Sequence, residues 1–155
     1  MKFIQILICT LCILMTQTMI AQTDMIWDTH GVGFTVPDDF EIETNNADEF
    51  TADNGYLFLS ILPIQDKNIT TADLADVVDE MAAELDYDRI QEGDAIDIDD
   101  FTGYFIKGRK DGTNAVLMAL LDKESSTNLL VVIVYTDGQE DEAIEIAASF
   151  YAYDK

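Results

Sequence analysis

Two apolar runs dominate the carboxyl-terminal half of the chain: residues 115–121 read AVLMALL and residues 129–135 read LLVVIVY, with the polar stretch DKESSTN between them. Polar stretches of this kind join antiparallel neighbours, so the unit predicts a hairpin of two central strands. A strand buried on one face alternates apolar with polar residues, and neither run does so. Both faces of this hairpin therefore need cover, most simply a helix on each side of the sheet.

Taken in order, the pattern predicts strands at 25–29 and 32–36, joined through His30 and Gly31. In the second, Val32, Phe34 and Val36 alternate with Gly33 and Thr35 and share one face. Pro37 ends it by removing a ladder donor. Residues 41–53 are polar and ambiguous, with room for a short strand around Phe50, and residues 55–64 (GYLFLSILPI) form another strand stopped at Pro63. Residues 69–86 predict a helix with Thr70 as N-cap, Asp73 in a capping-box role and Ile69 stapled on Leu74. Leu74, Val77, Val78, Met81 and Leu85 form its buried stripe, opposite Asp76, Asp79, Glu80 and Glu84. Strands follow at 95–99 and 101–109, and an Asp-Gly turn at 111–112 leads into the hairpin. A second helix at 139–151, capped by Asp137, buries Ala143, Ile144, Ala147, Phe150 and Tyr151. The fold class is α+β, one domain at residues 22–155, with an antiparallel sheet of about six to eight strands and a helix on each face.

The amino-terminal residues change the picture of where this domain works. Lys2, an apolar run at 6–15 and a polar stretch ending in Ala21 have the layout of a secretory signal peptide at residues 1–21. The run is too short for a stable membrane anchor, so the expected location is periplasmic or secreted, without membrane insertion after cleavage. Cys9 and Cys12, the two cysteines of the chain, fall inside the leader, which leaves the mature domain no disulfide, thiol nucleophile or thiolate metal site. Neither is preceded by the small residues of a lipoprotein signal.

Charge narrows the function classes. With 31 acidic against 8 basic residues the formal net charge is −23. Nucleic acids and anionic lipid surfaces require a positive field, so neither is an expected partner. Apolar and aromatic residues spread through the chain argue for a folded protein despite this charge.

The order strand, strand, short strand, strand, helix, strands and closing helix resembles the Mog1/PsbP-like group, including bacterial envelope proteins of DcrB type. Residues 33–40 (GFTVPDDF) are similar to that group's early strand followed by Pro-Asp-aromatic, and residues 146–150 (IAASF) to its final-helix ending. The resemblance implies an antiparallel sheet between helices, a binding or assembly-assisting role, and no shared catalytic apparatus.

The residues themselves offer little chemistry. The single histidine, His30, would have to serve any serine nucleophile as base, and Ser60, Ser125, Ser126 and Ser149 lie in no Gly-x-Ser-x-Gly elbow. Gly103 and Gly108 sit in a strand pattern without the Lys-Ser or Lys-Thr of a phosphate loop. With 31 acids a glycosidase-like carboxylate pair can arise by chance, which keeps a hydrolase as one alternative. The densest acidic group is Glu92, Asp94, Asp97, Asp99 and Asp100. Asp97, Asp99 and Asp100 are candidate ligands for a hard cation such as Ca²⁺, against the simpler reading of a charged edge strand, and a cation-stabilised or salt-adapted structural domain is the second alternative. No other cofactor is expected. Lys107, Arg109 and Lys110 concentrate positive charge and are candidate partner contacts, although they also serve to offset neighbouring aspartates. Tyr104, Tyr151 and Tyr153 can flank a binding surface or pack at the rim of the core. The leading expectation is an exported, acidic, non-catalytic module that binds a protein partner.

Overall fold

The computed structural model describes residues 21–153. The leader expected at residues 1–21, with both cysteines, lies outside the described residues except for Ala21. The described elements are β1 (Gln22–Trp27), β2 (Val32–Pro37), β3 (Glu41–Asn45), β4 (Phe50–Asp53), β5 (Leu57–Pro63), α1 (Leu74–Glu84), β6 (Asp88–Arg89), β7 (Asp94–Ile98), β8 (Phe101–Lys110), β9 (Thr113–Asp122), β10 (Asn128–Tyr135), α2 (Glu140–Ala148) and β11 (Tyr151–Ala152). Eight strands form an antiparallel sheet in the order β3-β4-β5-β10-β9-β8-β6, with β7 also on β8, and a small sheet runs β1-β2-β11.

The hairpin β9–β10 is the middle of the large sheet, and alternate residues feed two separate cores. Val116, Met118, Leu120, Leu129, Val131 and Ile133 enter one, with Trp27, Val32, Phe34, Val36, Ile146 and Phe150. Ala115, Leu117, Ala119, Leu121 and Val132 enter the other, with Leu74, Val78, Met81 and Ile106. Exposure of 2% at Val116 and 8% at Val132 shows that both sides of the hairpin are shielded. Face A carries the first core and face B the second.

Cover on face A is more than the helix the sequence predicts. At nine residues α2 is only about 14 Å long. The β1-β2-β11 sheet covers the rest, presenting the expected Val32, Phe34 and Val36 together with Trp27. The closing helix, expected at 139–151, stops at Ala148 because Ser149 turns the chain. Its Oγ donates to the Ile146 carbonyl at 2.7 Å and accepts from Thr35 N–H at 2.9 Å, which directs Tyr151 and Ala152 into pairing with β2. The Tyr151 ring then fills the space a side chain at Gly33 would need. Asp137 is not the cap: it accepts from Asn114 Nδ2 at 3.0 Å, and Gln139 holds the cap position without a side-chain bond.

Helix α1 is also shorter than the expected 69–86. Asp73 reaches back as predicted, accepting from Thr70 N–H at 2.8 Å and Thr70 Oγ1 at 2.7 Å. Those bonds hold 70–73 as a turn, so the helix starts at Leu74. At the other end Asp86 takes a positive φ of 59°, and Lys110 Nζ donates to the Leu85 carbonyl at 2.8 Å. That ammonium offsets the acidic residues at the negative end of the helix dipole. Three strands escaped the sequence pattern: β3, which is polar and mostly exposed, the two-residue β6, and β11, which begins at the expected last residue of the closing helix.

Two outcomes follow. Thr70's hydroxyl and N–H hold Asp73 below its ordinary value of 3.8, so its contribution to stability is present above that value and lost as pH falls through the lower folded one. The stability gap between wild type and Asp73→Asn should therefore narrow between pH 5 and pH 2 in denaturant melts, and a gap constant with pH contradicts this. A methyl added at Gly103 would lie 2.5 Å from the Ala119 carbonyl oxygen, so Gly103→Ala should cost about 1–3 kcal/mol by overpacking the β8–β9 ladder; an unchanged urea midpoint would show that the strands yield freely.

Candidate functional site

Cover on face B is incomplete, because a single helix about 10 Å across shields only about two strands spaced ~4.8 Å apart. Helix α1 packs over β8 and β9, with Val132 of β10 buried beside it and Leu130 and Val134 only partly covered. Beyond it the register aligns Leu130 with Leu62, Val132 with Ser60 and Val134 with Phe58 on the same face. Leu130, Val134 and Phe58 are half-buried, and Leu62 is 36% exposed. A groove of about 370 Å³ runs between this strip and the helix, lined by Leu62, Val77, Met81, Leu85, Leu130 and Val132, with Glu80 and Glu84 on its helical wall. Across the strip the pairing places Thr51, Asp53 and Glu41 on the same face. The geometry is an apolar floor between two acidic margins.

The residues nominated from sequence are dispersed. Lys107 and Arg109 share face A, whereas Lys110 is on face B. Lys107 pairs with Glu140 at the start of α2. Arg109 Nη2 reaches the Gly112 carbonyl at 3.5 Å, and Lys110 pairs with Asp86 at 3.6 Å besides its bond to Leu85. Each basic group thus has a local structural partner, and the three do not form one patch. The structure also does not bring Asp97, Asp99 and Asp100 together around one point. Lys123 Nζ lies 2.6 Å from Asp97 Oδ1 and donates to the carbonyls of Asp99 at 2.9 Å and Ile98 at 3.2 Å. An ammonium of the chain itself thus stands among the oxygens that a cation would take. Asp100 Oδ2 instead accepts from Ala152 N–H at 2.7 Å and anchors β11. Among the described residues no three His, Cys, Asp or Glu side chains converge as a metal site.

His30 and Ser125 line one cleft of about 290 Å³ with Asp122, Glu124 and Tyr153. The proximity is not a nucleophile–base pair. Ser125 Oγ donates to Asp122 Oδ2 at 2.7 Å, and His30 Nε2 donates to the Ala47 carbonyl at 2.7 Å with its ring 4.1 Å from Trp27. Asp122 also accepts the N–H groups of Glu124 and Ser125, which commits it to the hairpin turn. On face A a smaller apolar slot of about 140 Å³ lies between Ile96, Phe105, Val116, Ile144 and Ala147, with Lys107 at its edge.

The groove on face B was not among the sequence nominations. Its one signal was Ser60, a polar residue interrupting an apolar strand on face B, two strands away from the β9 that α1 covers.

No family model matches this sequence, and no curated protein does. Solved structures do. The solution structure of cyanobacterial PsbP (CyanoP) from Synechocystis sp. PCC 6803 aligns with a TM-score of 0.63 at 14% identity, over 89% of this chain and 96% of that one. The Saccharomyces cerevisiae Ran-binding protein Mog1p aligns with a TM-score of 0.56 at 9% identity, over 87% and 97%. The chain has a Mog1/PsbP-like fold. A Bacteroides thetaiotaomicron protein aligns with a TM-score of 0.53 at 14% identity, over 85% of this chain and 48% of that one. The Mog1/PsbP-like fold agrees with the resemblance read from the order of elements and from 33–40. At these identities it carries no residue of a site. No helix among the described residues is long and apolar enough to cross a membrane.

With Lys123 occupying the oxygens near Asp97, Ca²⁺ should raise the melting temperature no more than NaCl of equal ionic strength, since both then act by screening. A Ca²⁺-specific rise abolished by Asp97→Asn would contradict this.

Proposed function

We propose that this protein is an exported, non-catalytic binding module of the bacterial envelope that receives a protein partner along the open strip of face B. The observation that carries the proposal is the strip itself. Strands β10 and β5 turn Leu130, Val134, Phe58 and Leu62 toward solvent beside a helix that stops short of them. Contiguous apolar surface of this kind, rimmed by polar groups, is the usual mark of an interaction site. The Mog1/PsbP-like fold supports the reading to the extent that one of its members, the yeast neighbour, is a Ran-binding protein. Export rests on the leader pattern of residues 1–21, and the strong negative charge selects among partners through their on-rate.

A photo-cross-linking residue placed at position 62 tests the reading. In envelope extract it should capture a discrete protein, whereas the same residue at exposed position 144 on face A should not. Capture at 144 alone, or equal labelling at both, would move the site off face B; capture at neither would remove the docking role.

A further inference from the structure

The open strip has the dimensions and charge of a berth for one helix, and we infer that the partner presents a cationic amphipathic helix that lies beside α1. This rests on the docking role of face B. Neighbouring strands are about 4.8 Å apart, so the ribbon β10-β5-β4 beside α1 is roughly 10 Å wide, one helix diameter; Val132 and Thr51 are buried in its middle row, and the apolar side chains open to solvent are those of β10 and β5 on either side of that row. The seven residues of β5 extend roughly 23 Å, the length of about 15 helical residues. A helix there would bury its apolar stripe on Leu62, Leu130 and Val134, as α1 buries its own on Leu117 and Ile106.

The margins specify the rest. Glu80 and Glu84 stand four apart on the groove side of α1, a like-charged pair that disfavours the free helix, and neither has a basic partner among the described residues. Glu41 and Asp53 lie across the strip. An incoming helix with lysine or arginine on both sides of its apolar stripe would meet acid on each flank. A second copy of this chain fits poorly, since at a net charge of −23 it would bring further acids to the same margins.

Three synthetic peptides of about 15 residues discriminate the requirements: a leucine-striped helix flanked by lysines, the same stripe flanked by glutamates, and a scramble of the first with no apolar face. Isothermal titration and backbone NMR should show the lysine-flanked helix binding at least about tenfold more tightly than either control, with shifts at Leu62, Val77, Leu85 and Leu130. Glu80→Gln combined with Glu84→Gln, both at exposed positions, should weaken it about fivefold. Equal binding of the scramble would reduce the effect to bulk charge, and equal binding of the glutamate-flanked peptide would remove the charge requirement; either overturns the inference. If none binds while position 62 still captures an envelope protein, the docking role stands and the helical, cationic character of the partner is wrong. If none binds and position 62 captures nothing, both fail.

Discussion

An apolar hairpin at the centre of a sheet must be shielded on both sides, and the rest of this molecule is arranged around that demand. Burying a leucine- or valine-sized side chain is worth about 1.5–3 kcal/mol, and β9 and β10 commit such residues to both faces. Face A answers with two elements, since α2 and a separate three-stranded sheet together close over Val116, Met118, Val131 and Ile133 and leave only a small slot beside Ile96 and Phe105. Face B answers with one short helix. The larger of the two openings is therefore on face B, where Leu62, Leu130, Val134 and Phe58 reach solvent.

The acidity of the chain has a different status on the two faces. Where acids could have met around a cation, the chain's own Lys123 is in place, and Lys107 and Lys110 are likewise drawn into pairing at the ends of helices. Few basic groups serve many carboxylates, and those few are spent at structural joints. The carboxylates along the groove of face B are left facing solvent beside an apolar floor, so they favour cationic partners over anionic ones.

Much of the fold was legible in sequence because periodicity reports burial. The two-sided runs at 115–121 and 129–135, the alternation at 32–36 and the stripe from Leu74 to Met81 each found the predicted environment, whereas Leu85, expected in the same stripe, is exposed at the helix end. What was not legible depended on single polar contacts. Ser149 ends α2 early and sends Tyr151 to β2, Asp73 delays α1, and polar β3 joins the sheet by backbone pairing alone. The site was harder still: charge clusters drew attention to Lys107, Arg109, Lys110, Asp97, Asp99 and Asp100, which the fold disperses, pairing Lys107, Lys110 and Asp97 with opposite charges and using Asp100 to anchor β11. The groove depends on which strands a single helix sits over, and that emerges only when the helix position and the strand order are known together.

The half-finished layer can be measured directly from solvent access to methyl groups. With a soluble paramagnetic probe in methyl NMR, the resonances of Leu62, Leu130 and Val134 should broaden strongly while those of Leu117, Val116 and Ile133 stay sharp. Protection of all six alike would mean that face B is closed in solution and that the protein offers no such surface.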